Sequence, residues 1–237
     1  MCATLKAAGT TPIAVGSQAW MHRILWHTLA MGSMGADKYR DYLTGQGTLD
    51  NVALEQAVSV YADVLVNYTN AYDVAANYSW SAATQSLYDG EVALFIHGDW
   101  AKSYLTQLGW TPGVDFGVVA APSASEVFLY SGDAFALPEG ATNAAAAREF
   151  LATAASLEAQ TVFSGMKGSS PIRLDIPADS LDPVSRSTFE DLKNATYRLP
   201  SQSDEDYWLS LFYTNKDQKA LSEAFKQVHA TRAKPQQ

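Results

Sequence analysis

The chain has 237 residues, 47% of them hydrophobic and 17% charged, with 9 Phe, 6 Trp and 12 Tyr. That composition supports a packed core and excludes wholesale disorder, while a net charge of −9 argues against general binding to a nucleic-acid backbone. The single cysteine, Cys2, excludes an intrachain disulfide framework, and no apolar run approaches the roughly 20 residues of a helical membrane span.

In chain order, the first extended segment is Thr11 to Val15, closed by Gly16. The three- and four-residue spacing of Met21, Leu25, Thr28 and Leu29 predicts a helix from Ala19 to Ala30. Gly32, Gly35, Gly45 and Gly47 punctuate a short helix around Lys38 to Tyr42. Asp50 reads as the N-cap of a long helix to Asn67, whose apolar stripe is Leu54, Ala57, Val58, Tyr61, Val64 and Leu65. A helix from Ser81 to Asp89 stops at Gly90. Val92 to His97 reads as a buried strand, followed by a Gly98-Asp99 turn and a helix from Trp100 to Leu108. Phe116 to Ala120, Phe128 to Tyr130 and Ala134 to Leu137 read as three further strands. Helices are predicted at Ala144 to Ala155, at Leu157 to Phe163 and from Asp182 onward, with a break at Pro200 near Leu199. This alternation predicts an α/β protein with a mostly parallel sheet flanked by helices.

Four segments, in this order, carry a resemblance. Leu5-Lys6-Ala7-Ala8-Gly9-Thr10-Thr11-Pro12-Ile13-Ala14 is followed by Trp20 and Trp26. Gly90-Glu91-Val92-Ala93-Leu94-Phe95-Ile96-His97-Gly98-Asp99-Trp100-Ala101 is the second, and Tyr130-Ser131-Gly132-Asp133-Ala134-Phe135-Ala136-Leu137-Pro138-Glu139-Gly140-Ala141 the third. The fourth joins Ala147-Arg148-Glu149-Phe150-Leu151, Ser156-Leu157-Glu158-Ala159-Gln160 and Lys167-Gly168-Ser169-Ser170-Pro171-Ile172-Arg173. Together they resemble the extracytoplasmic solute-binding proteins of sugar ABC transporters, most closely the glucose- and mannose-type branch. The resemblance implies a periplasmic-binding-protein-like fold with C-lobe core in residues 1–128. It implies an N-lobe segment in 129–170 and C-lobe and hinge helices in 171–237.

A sugar ligand, an ABC permease partner and an extracytoplasmic location are implied in the same way. Members of that family close two lobes on the sugar, and this chain resembles them from inside the second lobe onward. A half-built clamp predicts sugar affinity in the millimolar range or weaker. Met1 to Gly9 lacks a basic stretch followed by an apolar one, which predicts a cytoplasmic location for a complete gene product of this sequence.

Sugars are held by flat aromatic faces against their C–H surface and by polar groups on their hydroxyls. Asp99 and Trp100 lie in the turn after a buried strand, where open α/β sheets bind ligands. An ordinary core tryptophan is the competing explanation for Trp100. Asp133 is a hydroxyl acceptor or a turn residue, and Trp20 a site wall or a helix anchor. Trp208, beside Tyr207, is a stacking aromatic or part of a helix core capped by Asp204. Arg173 resembles the family's Pro-x-Arg element, with a plain salt bridge as the alternative. The glucose branch carries a histidine near Gln202 to Asp204; this chain does not, so the resemblance does not carry glucose selectivity across.

No cofactor, metal or catalytic residue is expected. His22, His27, His97 and His229 form no spaced ligand set, and the nucleophile elbow, phosphate loop and dinucleotide fingerprint are all missing. A glycoside hydrolase needs two carboxylates across one bond, and Asp99 with Asp133 is the pair that could converge. Carboxylates bind sugar hydroxyls without chemistry just as readily, so binding ranks above hydrolysis. An orphan structural or interaction module retaining only the fold is the remaining alternative. Finally, Phe135, Leu137, Phe150, Leu151 and Phe163 lack their family neighbours, which predicts a homodimer through residues 133–163.

Overall fold

The structure, a computed structural model, describes residues 1–70, 78–121 and 126–234. Helix α1 (Cys2–Ala7) leads into β1 (Thr11–Ala14), followed by α2 (Ala19–Met34), α3 (Ala36–Thr44) and α4 (Asn51–Tyr68). Next come α5 (Trp80–Tyr88), β2 (Val92–Phe95), α6 (Ala101–Gln107), β3 (Val127–Tyr130), α7 (Ala144–Ala154) and α8 (Leu157–Lys167). The chain continues through α9 (Pro183–Asn194), β4 (Tyr197–Pro200), α10 (Asp206–Asn215) and α11 (Gln218–Arg232).

Short polar side chains set many of the helix starts. Asp50, Ser79, Ser156, Asp182 and Asp217 each accept from a first-turn N–H, opening α4, α5, α8, α9 and α11. Each bond satisfies a donor that the helix itself leaves without a partner, worth about 1 kcal/mol. α2 runs past Ala30 to Met34, where Gly35 takes a positive φ of 78°. α8 runs past Phe163 to Lys167 and ends on Gly168 in the left-handed region. α1 was not expected; none of its six residues is buried, so no apolar period announces it.

The strands pair in parallel, as expected, but in two separate two-stranded ladders among the described residues. In β1 and β2, Thr11 faces Val92 and Ala14 faces Phe95. In β3 and β4, Val127 faces Tyr197 and Tyr130 faces Pro200. β4 lies where only helices and a break were predicted. It forms because the Tyr197 N–H donates to the Glu126 carbonyl at 2.8 Å and the Ser201 N–H to the Tyr130 carbonyl at 2.7 Å. Pro200, with no N–H to offer, falls at the end of that ladder.

Two predicted strands do not form. Phe116 contributes only an isolated bridge to Pro112, and Val119 further along is 88% exposed. Ala134 to Leu137 joins no ladder, and Phe135 is 63% exposed. Both segments are apolar enough for a strand, but among the described residues no neighbouring strand stands beside them to take their N–H and C=O groups.

The main core is built on α2, whose Trp26 is fully buried among Tyr42, Tyr61 and Phe225, at centroid separations of 6.0, 5.9 and 4.6 Å. A charged knot lies within it. Glu205, fully buried just ahead of α10, sits 3.2 Å from His27 and 3.2 Å from the Arg232 guanidinium. It also accepts from the Tyr42 hydroxyl and from the Trp26 indole N–H. Burial alone would raise the Glu205 carboxyl; His27, Arg232 and Tyr42 outweigh it and hold the pKa down at about 2.

Candidate functional site

β1 and β2 run parallel and finish side by side, so the loops leaving Ala14 and Phe95 emerge at one edge. That edge is the carboxyl end of the ladder, where α/β sheets place their ligand crevices. The first loop delivers Trp20 in the opening turn of α2, and the second delivers His97, Gly98, Asp99 and Trp100 at the start of α6. Trp20 and Trp100 lie 6.3 Å apart between ring centroids, with His97 between them at 5.2 and 5.1 Å. Trp80, from α5, stacks on His97 at 5.9 Å and meets Tyr104 edge-on at 5.7 Å.

Gly98 makes this packing possible. A Cβ there would fall 2.0 Å from the Trp100 ring, so any other residue would push the indole away. Asp99 is turned to a different task. Its carboxylate accepts the Ser170 N–H at 2.6 Å, fastening the site to the chain after α8, and burial pushes its pKa up. Nearby, the buried Lys102 reaches Asp182 at 2.5 Å and Ser185 at 2.7 Å, joining α6 to the start of α9.

Trp20, Asp99 and Trp100 are thus brought together, while the other candidates lie apart from the ring cluster. The Asp133 side chain is 87% exposed and paired with Lys167 at 2.5 Å; that pairing lowers its pKa. The same Lys167 ammonium also acts on Asp99, so one cation serves both carboxylates. Arg173 holds Asp175 at 2.6 Å and the Ala155 carbonyl, matching its salt-bridge alternative. Trp208 packs against the main core beside Tyr207, but Asp204 does not cap that helix: it pairs with Arg232 at 2.5 Å, and Glu205 holds the N-cap position.

Trp80, Phe95, Tyr104 and the ring role of His97 escaped the sequence reading. Part of the signal was present: Phe95 and His97 are two residues apart at a strand end, hence on one side of it, and they stack at 4.4 Å. Among the described residues, no three His, Cys, Asp or Glu side chains converge to hold a metal, and no helix is long and apolar enough to cross a membrane.

The comparisons agree with this architecture. A probable sugar-binding periplasmic protein of Mesorhizobium japonicum is 30% identical over 195 residues, covering 80% of this chain and 46% of that protein. An uncharacterized ABC transporter extracellular-binding protein of Pyrococcus horikoshii is 33% identical over 196 residues, covering 82% of this chain and 43% of its own length. The chain therefore spans less than half the length of these relatives. Among solved structures, a chitin oligosaccharide binding protein superposes with a TM-score of 0.75 at 18% identity, over 98% of this chain and 62% of that one. The raffinose complex of a solute-binding protein superposes at 0.69 and 12% identity, over 98% and 64%. These two establish the fold. Residues 1–161 match the model of the bacterial extracellular solute-binding proteins, and the chain belongs to that family.

Proposed function

We propose that this chain binds a carbohydrate, without chemistry, at the aromatic cluster beyond the ends of β1 and β2. The observation that carries the reading is the convergence of Trp20, Trp80 and Trp100 around one loop, because flat rings are what the C–H face of a pyranose packs against. Relatives described as sugar-binding periplasmic proteins, a neighbour described as a chitin oligosaccharide binding protein and another in complex with raffinose favour the same ligand class. An extracytoplasmic location and delivery of the sugar to an ABC permease follow from that reading. Hydrolysis finds no support in the two carboxylates: Asp99 is engaged by Ser170, and Asp133 lies in solvent on Lys167.

Tryptophan fluorescence titrated with glucose, xylose and raffinose tests the proposal. A saturable change that disappears in Trp100→Ala is expected. No saturable response to any of the three would overturn the reading.

A further inference from the structure

His97 is enclosed by four rings. Phe95 stacks on it at 4.4 Å and 14°, Trp80 at 5.9 Å and 15°, and Trp20 and Trp100 stand at 5.2 and 5.1 Å. Both ring nitrogens, Nδ1 and Nε2, are shielded from solvent, and neither has a hydrogen-bond partner. Leaving such a group without a partner costs about 1–3 kcal/mol. A phenylalanine would stack on the same neighbours without that cost, so packing alone does not explain an imidazole here.

Burial lowers the His97 pKa to about 4, so at neutral pH the ring offers one N–H donor and one bare nitrogen acceptor. Sugar hydroxyls both donate and accept, and they complement either tautomer. Phe95 and Trp80 lie parallel to the imidazole, whereas Trp100 stands across it at 68°, its indole folded back onto Gly98, where no side chain resists it. Of the four rings, Trp100 is the one in the turn beyond β2, so turning its indole away would leave the strand in place.

We infer that His97 is a hydrogen-bonding residue of the sugar site, uncovered when the ligand moves the Trp100 indole off Gly98, and that it bonds one hydroxyl of the bound sugar. The inference rests on the carbohydrate reading above and adds a residue to it whose role is polar rather than stacking.

The test uses the full chain, labelled with nitrogen-15, and two probes, methyl β-D-glucopyranoside and methyl β-D-xylopyranoside. The imidazole resonances of His97 (identified by their loss in His97→Gln) and the tryptophan fluorescence are followed in the same titrations. For the glycoside that binds, the His97 nitrogens are expected to shift in step with the fluorescence. His97→Phe should weaken binding about tenfold while keeping the fold, with His97→Gln restoring part of the loss, as removal of one neutral hydrogen bond requires. A saturable fluorescence change with unmoved His97 nitrogens, or undiminished affinity in His97→Phe, would overturn the role of His97 and leave the sugar site standing. No fluorescence response to either probe, nor to glucose, xylose or raffinose, would overturn both. Should His97→Phe fail to fold, the wild-type resonances still decide.

Discussion

Two regions of the molecule contain similar apolar residues and treat them in opposite ways. Across α2, α3, α4, α10 and α11, the rings of Trp26, Tyr42, Tyr61, Phe212 and Phe225 are buried. Along α7 and α8, Phe150, Leu157, Val162, Phe163 and Met166 are exposed, and α7 has no buried residue at all. The contrast extends to charge: Glu205 is sealed among four partners, whereas Asp133 holds Lys167 in open water. An apolar stripe makes burial favourable, but only a second surface opposite it brings burial about.

The largest effect should come from making the same truncation in both regions. Phe225→Ala should cost about 3–5 kcal/mol through lost burial and the cavity left behind, and Phe163→Ala less than about 0.5 kcal/mol. Urea unfolding measures both. Equal costs would mean that α8 is covered in solution.

Glu205→Gln should cost about 3 kcal/mol, because it removes the buried counter-charge of Arg232, leaving it only the part-exposed Asp204, and breaks the contact with His27. Asp133→Asn should cost less than about 1 kcal/mol, since its ion pair is screened by water. Comparable unfolding midpoints for the two variants would show that the buried knot contributes nothing beyond a surface pair.

Two buried histidines and the Glu205 knot together predict a pH dependence in two stages. Burial lowers the pKa of His22 from 6.5 to about 4, so the unfolded chain takes up its proton first as pH falls. Stability from His22 is therefore complete above pH 6.5 and declines towards pH 4, by roughly 2–3 kcal/mol. His97 adds to this stage with the same sign. Glu205 acts lower: its folded pKa of about 2 lies below the ordinary 4.5, so its stabilisation is present above pH 4.5 and is lost between there and pH 2. Urea midpoints followed from pH 7.5 to 3 should fall throughout, and His22→Leu should flatten the upper stage. A flat profile between pH 7 and 4.5 would contradict the burial of both histidines.

The smallest expected change in stability tests what covers the exposed region. Phe135 and Phe150 meet edge-on at 5.1 Å on the open face. If a second copy of the chain packs there, light scattering should report a dimer, and Phe135→Lys should shift it towards monomer with little loss of folding stability. A monomer throughout the micromolar range would leave the face open and remove the dimer.

Much of the candidate site could be read in the sequence because its residues sit close together along the chain. Trp100, Asp99 and Gly98 follow a buried strand, and their position at the strand's carboxyl end is a local consequence of strand, turn and helix. Trp80 could not be placed from the sequence: it reaches His97 only because α5 packs beside both β1 and β2. The strand expected after Asp133, Ala134 to Leu137, does not form, and Asp133 stands exposed on Lys167.

What the sequence by itself determined was local: helix starts where Asp50, Ser79, Ser156, Asp182 or Asp217 meets an N–H two or three residues away, and apolar periods that select a face. Those interactions are complete within a few residues of chain. The tertiary structure decided the rest. Asp99 found Ser170 across 71 residues and Trp26 found Glu205 across 179, and β3 paired with β4 rather than with the apolar segment that follows it. A hydrogen-bonding edge, a buried charge or an apolar face states in sequence only that it needs a partner. Which partner it meets depends on chain closure over long distances, and the global packing alone settles that.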